Sequence, residues 1–468
     1  MGSHTDVPRP RTGSGARPRG TRRGKPKLTR RGRIALWAAG TLAALVLAGG
    51  SAGGWLYQRL DGNINASDID DKLGGGRPVN LSPGAKNILL VGSDSREGDN
   101  AKYGKDLATM QSDTLMLLHI AANRKWATVV SLPRDSWVEI PACERADGTR
   151  SAPHHFKINA AYAIGGTGGD AGGAAACTIR TIEHNTGLRI DHFVTIDFQG
   201  FKGMVNALGG IEICPRQAIH DKKAHLDIEA GCQTVKDEQA LGYVRTRYST
   251  GDGSDIGRIG RQQEFMQALA AKARQKLTSP GDVYGFLDSA TKSITTDRAL
   301  AGLRPLHGLA SQLQDISQDR LTFLTVPNYP REVDIPTDKA NISWQYPHTR
   351  TLFTALAKDQ EITKEQLTVA QPIAAGSTRI LVLNGTGTPG KAADVATRLR
   401  TAGYTVTATG NAPWNAARTT VTHPPGMELH AEAFTSRLRT PASPQASENT
   451  AARVITLTVG ADYTGLFG

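Results

Sequence analysis

The runs NILLVG (87–92), TLMLLHI (114–120) and ATVVSL (127–132) decide the fold class. Each is a short apolar stretch bounded by turn residues, which is the pattern of a β-strand buried on both faces. Helical patterns follow at 174–185, 199–208, 258–276 and 300–313, and a further strand pattern at 321–326. Because strands alternate with helices, the sequence predicts an α/β fold with a mixed central sheet flanked by helices.

A second, smaller α/β domain is predicted near the C-terminus. RILVL (379–383) and YTVTAT (404–409) read as strands, and RVITLTV (453–459) is expected to close the domain. The stretch 389–402 between the first two strands predicts a helix with a proline at its start. The apolar signal is weak over 359–377, which we interpret as a linker.

The positive charge of the chain is concentrated at one end. The 468 residues carry a formal net charge of +12. Residues 1–33 hold eleven Lys and Arg against the single acid Asp6, so this tail accounts for +10 and leaves +2 for the remainder. The folded part therefore lacks the basic surface of a nucleic-acid-binding protein, and we expect no nucleic-acid partner.

A predicted transmembrane helix follows the basic tail at 34–58. This segment contains no charged residue, and its apolar run of 24 residues is long enough to cross a bilayer. Trp37, Trp55 and Tyr57 lie near its ends, where aromatic rings favour the interface. The positive-inside rule then places the N-terminus in the cytoplasm and the bulk of the chain outside. The alternative is a secretory signal cleaved near residues 50–52.

The cysteine pattern agrees with export. The chain has four cysteines, all outside the predicted span and without the C-x-x-C spacing of a metal or redox site. Two disulfide bonds are expected. Of the three connectivities we favour Cys143 with Cys177 and Cys214 with Cys232, because this pairing closes the shortest loops.

Two acidic residues flank the first predicted strands. Asp94 follows the strand 87–92, and Asp113 immediately precedes the strand 114–120. Open α/β sheets bind ligands at strand ends, and two converging carboxylates suit Mg²⁺, which also takes water and phosphate oxygens. The alternative interpretation is that both residues only form turns.

A set of arginines indicates an anion site. Arg134 directly follows a buried strand, and Arg245 and Arg247 would share one face of an extended segment. A helical stripe with inward-facing charges is formed by Arg258, Arg261 and Gln262 and continued by the apolar Phe265 and Leu269. Inward-facing guanidinium groups need a partner, and phosphate matches their fork geometry. The alternative is a solvated or salt-bridged cluster.

Seven ordered blocks carry a resemblance to a known family. They are NILLVGSDSR, QSDTLMLL, VVSLPRDSWVEIP, KINAAYAIGG, IDHFVTIDFQGFKGMVNALGGIEI, GYVRTRY and GRIGRQQEFMQAL, between residues 87 and 276. In this order they resemble the LytR-CpsA-Psr family of wall-polymer ligases, and residues 379–460 resemble the LytR C-terminal domain. The four cysteines and the RTRY form look actinobacterial.

The resemblance implies a membrane-anchored phosphotransferase, an enzyme that transfers a substituted phosphate group. Such an enzyme transfers a glycopolymer, as glycosyl phosphate, from a polyprenyl-pyrophosphate carrier to a muramic acid 6-hydroxyl of peptidoglycan, and releases polyprenyl phosphate with the assistance of Mg²⁺. Two alternatives are a pyrophosphatase that hydrolyses the carrier lipid, and a non-catalytic wall-binding or regulatory membrane protein.

The resemblance also assigns roles to individual residues. It implies Mg²⁺ binding by Asp94 and Asp113, and it implies catalysis by Asp113 with three arginines. The implied catalytic arginines are Arg134, Arg245 and Arg247, and the implied pyrophosphate-binding residues are these three with Lys157, Arg258, Arg261 and Gln262. Phe265 and Leu269 are expected in a lipid groove.

The predicted organisation follows from these features. It comprises a basic cytoplasmic tail (1–33), a transmembrane helix (34–58), an extracellular stalk (59–85), a catalytic domain (86–358), a linker (359–377) and a LytR C-terminal-like domain (378–468).

Overall fold

The strands and helices are numbered along the chain. The structure is a computed structural model that describes residues 51, 53–93, 112–246, 255–277, 279–368, 373–448 and 450–467. Its first thirteen strands are β1 (Asn65–Ser67), β2 (Lys86–Ser93), β3 (Ser112–Ile120), β4 (Ala127–Leu132), β5 (Trp137–Ile140), β6 (His154–Lys157), β7 (His192–Asp197), β8 (Ile211–Ile213), β9 (Ile219–Asp221), β10 (Leu226–Ile228), β11 (Gln233–Val235), β12 (Ile294–Asp297) and β13 (Leu321–Thr325). The later strands are β14 (Asn328–Pro330), β15 (Ile342–Trp344), β16 (Arg379–Asn384), β17 (Thr405–Asn411), β18 (Thr420–His423), β19 (Pro444–Ala446) and β20 (Ile455–Val459).

The α-helices connect these strands. They are α1 (Asp70–Leu73), α2 (Ala160–Gly165), α3 (Ala171–Thr186), α4 (Phe198–Ala207), α5 (Asp237–Arg245), α6 (Asp255–Lys276), α7 (Pro280–Ser293), α8 (Leu303–Gln314), α9 (His348–Ala357), α10 (Lys391–Thr401) and α11 (Glu428–Ser436). Short 3-10 helices lie at Gln318–Arg320, Arg331–Val333, Glu365–Leu367 and Ala375–Ser377.

The three apolar runs form the adjacent strands β2, β3 and β4 at the centre of a sheet, as predicted. The sheet has seven strands in the order β1-β12-β7-β2-β3-β4-β13. Strand β2 is antiparallel to β3 and parallel to β7, so the sheet is mixed. Continuous apolar runs are required at this position because helices cover both faces of the sheet.

The two faces of the sheet have separate cores. Side chains alternate along β2, so Leu89 and Val91 pack with α3 and α9, whereas Ile88 and Leu90 pack with α4, α7 and α8. The predicted α/β fold with flanking helices is therefore confirmed. The second face carries the candidate site described below.

Both predicted disulfide bonds are confirmed. Cys143 pairs with Cys177, which ties the segment after β5 to α3. Cys214 pairs with Cys232 and links the segment after β8 to the start of β11. The second bond encloses the β9–β10 hairpin, which lies beside the candidate site.

The predicted stalk at 59–85 is wrong. Strand β1 pairs with β12 at the edge of the central sheet, and Ile69 and Leu73 are buried in the core beside α3. These apolar residues are isolated among Gly, Pro, Asn and Asp, so no periodic pattern marks them. The predicted linker likewise contributes Ile362 and Leu367 to the same core.

The small C-terminal domain is built on a five-stranded sheet. Its strand order is β17-β16-β20-β18-β19, and α10 and α11 pack against it. The penultimate residue, Phe467, leaves this domain and is buried in the core beside α3. Helix α3 ends at Gly187 in the left-handed conformation, and a Cβ added there would lie 3.4 Å from the Phe467 ring. That distance is an ordinary van der Waals contact, so glycine is favoured here by its φ of 72° and not by lack of space.

The predicted membrane span, 34–58, lies mostly outside the described residues, which include 51 and 53–58 of it. Within the part of the chain that the structure describes, we find no helix with the length and apolar character needed to cross a membrane.

Candidate active site

An apolar cavity lies between the second face of the sheet and the helices α4, α5 and α6. It encloses about 900 Å³ of empty space. Strands β2, β3 and β7 supply Leu90, Met116 and Ile196 to its wall, and α4 supplies Phe201. Phe265 of α6 completes the wall and stacks against Phe201 with ring centroids 5.5 Å apart. The cavity is therefore suited to an apolar ligand.

A polar pocket adjoins the apolar cavity. It encloses about 470 Å³ and is lined by Asp113, Arg134, Asp221, Lys223, Ala224, Arg245 and Arg258. Asp113, Arg245 and Arg258 line both voids. The combined site is therefore amphipathic, with one apolar compartment and one rich in guanidinium groups, and it suits a ligand that joins an apolar chain to an anionic head.

Helix α6 presents the predicted stripe to this site. Arg258 and Gln262 are buried, and Phe265 is fully buried one turn further on. The Gln262 side-chain amide donates to Thr114 Oγ1 at 3.1 Å and to the carbonyl of Val244 at 3.0 Å. These bonds fix α6 against β3 and the end of α5. Three residues of the predicted stripe, Arg258, Gln262 and Phe265, therefore face inward as expected.

Arg245 occupies the boundary between the two voids. It is the last residue of α5, so the predicted extended segment is wrong at this position. The helix is favoured by the acids Asp237 and Glu238 in its first turn and by a basic residue in its last. The Arg245 guanidinium lies 4.8 Å from the centroid of the Phe198 ring. Arg247 lies outside the described residues.

Arg134 is held by carboxylates. Its Nη1 donates to Asp113 Oδ1 at 2.5 Å, and its Nε lies 3.9 Å from Asp135 Oδ2. Lys157 donates to Asp135 Oδ1 at 2.7 Å. Lys157 lines neither void, and its contact with the described part of the site is the bond to Asp135.

Two further predicted residues lie beside the site rather than in it. Arg261 donates to the carbonyl of Thr246, and burial lowers the pKa of its guanidinium. Leu269 packs against the core formed by α4, α5 and α6. Neither residue lines either void: the Arg261 guanidinium is directed to the Thr246 carbonyl, and Leu269 lies beyond Phe265 and Met266, which do line the cavity.

Asp221 and Lys223 were missed by the sequence analysis. Asp221 ends β9 and is buried; its carboxylate accepts from the backbone N–H groups of Lys223 and Ala224 and from Thr246 Oγ at 2.6 Å. These bonds hold the β9–β10 hairpin against the end of α5. The only signal was a charged turn, Asp-Lys-Lys, which is typical of any exposed hairpin.

The predicted metal site is described only in part. Asp113 Oδ1 accepts from Arg134, and Oδ2 accepts no hydrogen bond from a described residue. Asp94 lies outside the described residues. Among the described residues no group of three His, Cys, Asp or Glu side chains could by itself hold a metal. Asp113 alone still fits Mg²⁺, which commonly takes one or two carboxylates together with water and phosphate oxygens.

Comparisons with known proteins agree with this architecture. The LytR_cpsA_psr family model matches residues 56–358, well over half of the chain. The chain belongs to the LytR-CpsA-Psr family. A second model, described as LytR cell envelope-related transcriptional attenuator, matches residues 377–463.

Named relatives of this family member include two proteins of Corynebacterium glutamicum. It is 41% identical over 201 residues to the probable cell wall biosynthesis protein LcpB of Corynebacterium glutamicum, covering 42% of each chain. The chain thus matches less than half the length of that relative. It is 27% identical to LcpA of the same bacterium, covering 75% of this chain and 71% of LcpA.

A relative named as a transferase and a solved structure complete the comparison. The polyisoprenyl-teichoic acid–peptidoglycan teichoic acid transferase TagT of Bacillus subtilis is 27% identical over 61% of this chain and 84% of its own length. A structure named LytR-Csp2A-Psr enzyme from Actinomyces oris is 21% identical, covers 63% of this chain and 96% of that chain, and has a TM-score of 0.47.

Proposed function

We propose that the protein transfers a wall glycopolymer, as glycosyl phosphate, from a polyprenyl-pyrophosphate carrier to peptidoglycan. The observation that carries the proposal is the shared boundary of Asp113, Arg245 and Arg258 between the apolar cavity and the guanidinium-rich pocket. A polyprenyl pyrophosphate has the same division into an apolar chain and an anionic head. The relative named as a polyisoprenyl-teichoic acid–peptidoglycan transferase supports the same substrate class.

The arginines would act mainly by neutralising charge. In the proposed reaction a sugar hydroxyl of peptidoglycan attacks the phosphorus that carries the glycan, and the bond to the bridging oxygen breaks. Polyprenyl phosphate leaves with that oxygen, and the hydroxyl proton is released to solvent. Negative charge develops on the leaving oxygen, where Arg245 and Arg258 at the boundary would stabilise it.

Mg²⁺ is proposed as the cofactor of this reaction. Asp113 would supply a carboxylate ligand, with Asp94 as the second predicted carboxylate. The metal would offset phosphate charge when bound. Arg134 would hold Asp113 in its orientation through their hydrogen bond.

We also propose that the chain is a single-pass membrane protein with a cytoplasmic N-terminus and an extracellular catalytic part. The basic tail and the uncharged segment 34–58 support this topology. Such an anchor would hold the site close to a lipid substrate.

The test is reconstitution of the full chain in nanodiscs with a synthetic polyprenyl-pyrophosphate saccharide, peptidoglycan glycan strands and Mg²⁺. We expect saccharide phosphate covalently linked to the glycan, together with polyprenyl phosphate. Release of polyprenyl phosphate with free saccharide phosphate would instead identify a carrier pyrophosphatase. If the chain binds the peptidoglycan strands but neither set of products forms, the result would favour a non-catalytic wall-binding protein.

A further inference from the structure

A second cleft lies on the opposite side of the central sheet. It is formed by α9 of the larger domain and by α11 and the following segment of the C-terminal domain, and it encloses about 1,200 Å³. Helix α9 packs in the same core as Leu89 and Val91, whereas the candidate active site lies on the other face of β2. The two sites are therefore separated by the sheet.

Two arginines from different domains converge in this cleft. Arg350 of α9 lies 4.2 Å from the centroid of the Phe467 ring, and Arg439 lies 4.8 Å from the same centroid. Arg439 Nε also donates to the carbonyl of Leu466 at 2.7 Å. The buried C-terminal ring thus holds both cations in place, and docking of the two domains builds the cleft.

The charge of these arginines is not neutralised by ion pairing. Among the described residues neither Arg350 nor Arg439 has a carboxylate within ion-pair distance, and Arg439 Nη2 is buried and donates no hydrogen bond. Burial lowers the pKa of Arg439, and the adjacent Arg350 lowers it further, against the opposing influence of Glu139. Glu139 itself is paired with His184 at 3.2 Å. Two neighbouring cations of this kind favour an anionic ligand.

The other residues that line the cleft indicate the chemistry of the rest of the ligand. Hydroxyl and amide groups are supplied by Thr351, Thr354, Gln360, Ser436 and Ser443, and one carboxylate is supplied by Glu432. These groups match sugar hydroxyls, which both donate and accept hydrogen bonds. No described lining residue is aromatic, so a nucleobase would find no ring on which to stack. Of the space in the cleft, about 590 Å³ admits the centre of a water-sized molecule, which lies within the roughly 300–1,000 Å³ of ligand pockets.

We propose that this interdomain cleft binds an oligosaccharide that carries phosphate or carboxylate groups. The guanidinium groups of Arg350 and Arg439 bind the anionic group, and the hydroxyl-rich walls bind the sugar. The choice of a saccharide rests on the proposed function, because a wall-polymer transferase works among such chains. The anion has two sources, the phosphates of the transferred glycopolymer and the carboxylates of peptidoglycan. A second contact with either chain would raise its effective concentration near the enzyme.

The experiment measures binding by calorimetry at low salt, with the full chain in nanodiscs. Three probes are used: a glycosyl phosphate oligomer, a peptidoglycan disaccharide-tetrapeptide, and the uncharged chitotetraose. We expect one of the two anionic probes to bind and chitotetraose not to bind. Arg439→Gln and Arg350→Gln should each weaken binding about 10-fold or more, the scale of a lost charged hydrogen bond. Arg400→Gln, an exposed arginine on α10, should leave binding unchanged.

A second pair of variants leaves the arginines intact. Thr351 on α9 and Thr397 on α10 are both exposed helical residues whose hydroxyls donate to the carbonyl four residues earlier. Thr351→Glu places a negative charge in the cleft and should reduce binding at least 10-fold, whereas Thr397→Glu should not. The identity of the probe that binds assigns the source of the anion.

Equal affinity in wild type, Arg439→Gln and Thr351→Glu would overturn the proposal, and so would binding of neither anionic probe. Turnover of a polyprenyl-pyrophosphate saccharide is measured on the same samples. If a variant loses cleft binding but retains turnover, the result supports the second site. If the wild type shows no turnover, the result counts against the proposed function and not against the cleft.

Discussion

Replacement of Arg245 by alanine should remove catalysis while leaving the fold intact. Arg245 lines both voids and forms no ion pair with any described residue, so its loss leaves no internal carboxylate without a partner. Arg134 differs in this respect, because its removal would also leave Asp113 without the guanidinium that holds it.

The expected losses of turnover and of stability follow from the contacts of Arg245. Loss of one donor to developing charge typically lowers turnover about 10²- to 10³-fold, or about 2.7–4 kcal/mol of transition-state stabilisation. The structural cost is smaller, because the guanidinium contributes one stacking contact with Phe198, worth about 0.5–1 kcal/mol. We therefore expect a large loss of turnover with a small change in melting temperature.

The assay compares Arg245→Ala, Arg245→Lys and Arg304→Ala in nanodiscs with a polyprenyl-pyrophosphate saccharide and peptidoglycan strands. Lysine keeps the charge but not the bidentate fork, so Arg245→Lys should stay well below wild type. Arg304 is exposed on α8 and provides the matched change in net charge. Turnover of Arg245→Ala within twofold of wild type would refute the assignment of Arg245 to the pyrophosphate.

Three further predictions concern stability and metal use. Phe467→Ala should lower the free energy of unfolding by about 3–5 kcal/mol, the usual cost of emptying a buried phenylalanine site, and urea titration measures it. A hydrogen bond from His184 lowers the pKa of Glu139 to about 2. This pair therefore stabilises the fold above pH 4.5, and its contribution to stability is lost as the pH falls toward 2. The melting temperature of Glu139→Gln should depend less on pH in that range than the melting temperature of wild type. Asp113→Ala should raise the Mg²⁺ concentration needed for half-maximal turnover, and an unchanged Mg²⁺ titration would count against Asp113 as a ligand.

The strands of the central sheet were predictable because their signal is local. Strands β2, β3 and β4 are buried on both faces, so their central residues form short continuous apolar runs, such as ILLV (88–91) in β2 and LMLL (115–118) in β3. The inward stripe of α6 was predictable for a similar reason, since helical spacing alone brings Arg258 and Gln262 to one face.

The elements that were missed depend on distant contacts. The spacing of Arg245 and Arg247 fits an extended segment, yet the buried Ala240 and Tyr243 pack in a core shared with α4 and α6 and fix a helix through Arg245. Strand β1 is only three residues long, and it is recognisable as a strand because it pairs with β12. Asp221 enters the site through a hairpin whose position depends on the Thr246 bond. The residues that make these contacts are far apart in the chain, so no short stretch of sequence contains both partners of a contact.

The most direct test of the central claim is photo-crosslinking of the full chain with a polyprenyl pyrophosphate that carries a photoreactive group in its lipid chain. Mass spectrometry then maps the attached residues. The proposed lipid site predicts crosslinks to the cavity wall, at Phe201 of α4 and Met266 of α6, that are competed by unlabelled polyprenyl pyrophosphate and reduced in Arg245→Ala. Crosslinks confined to surfaces outside the cavity, or unaffected by competitor, would contradict it.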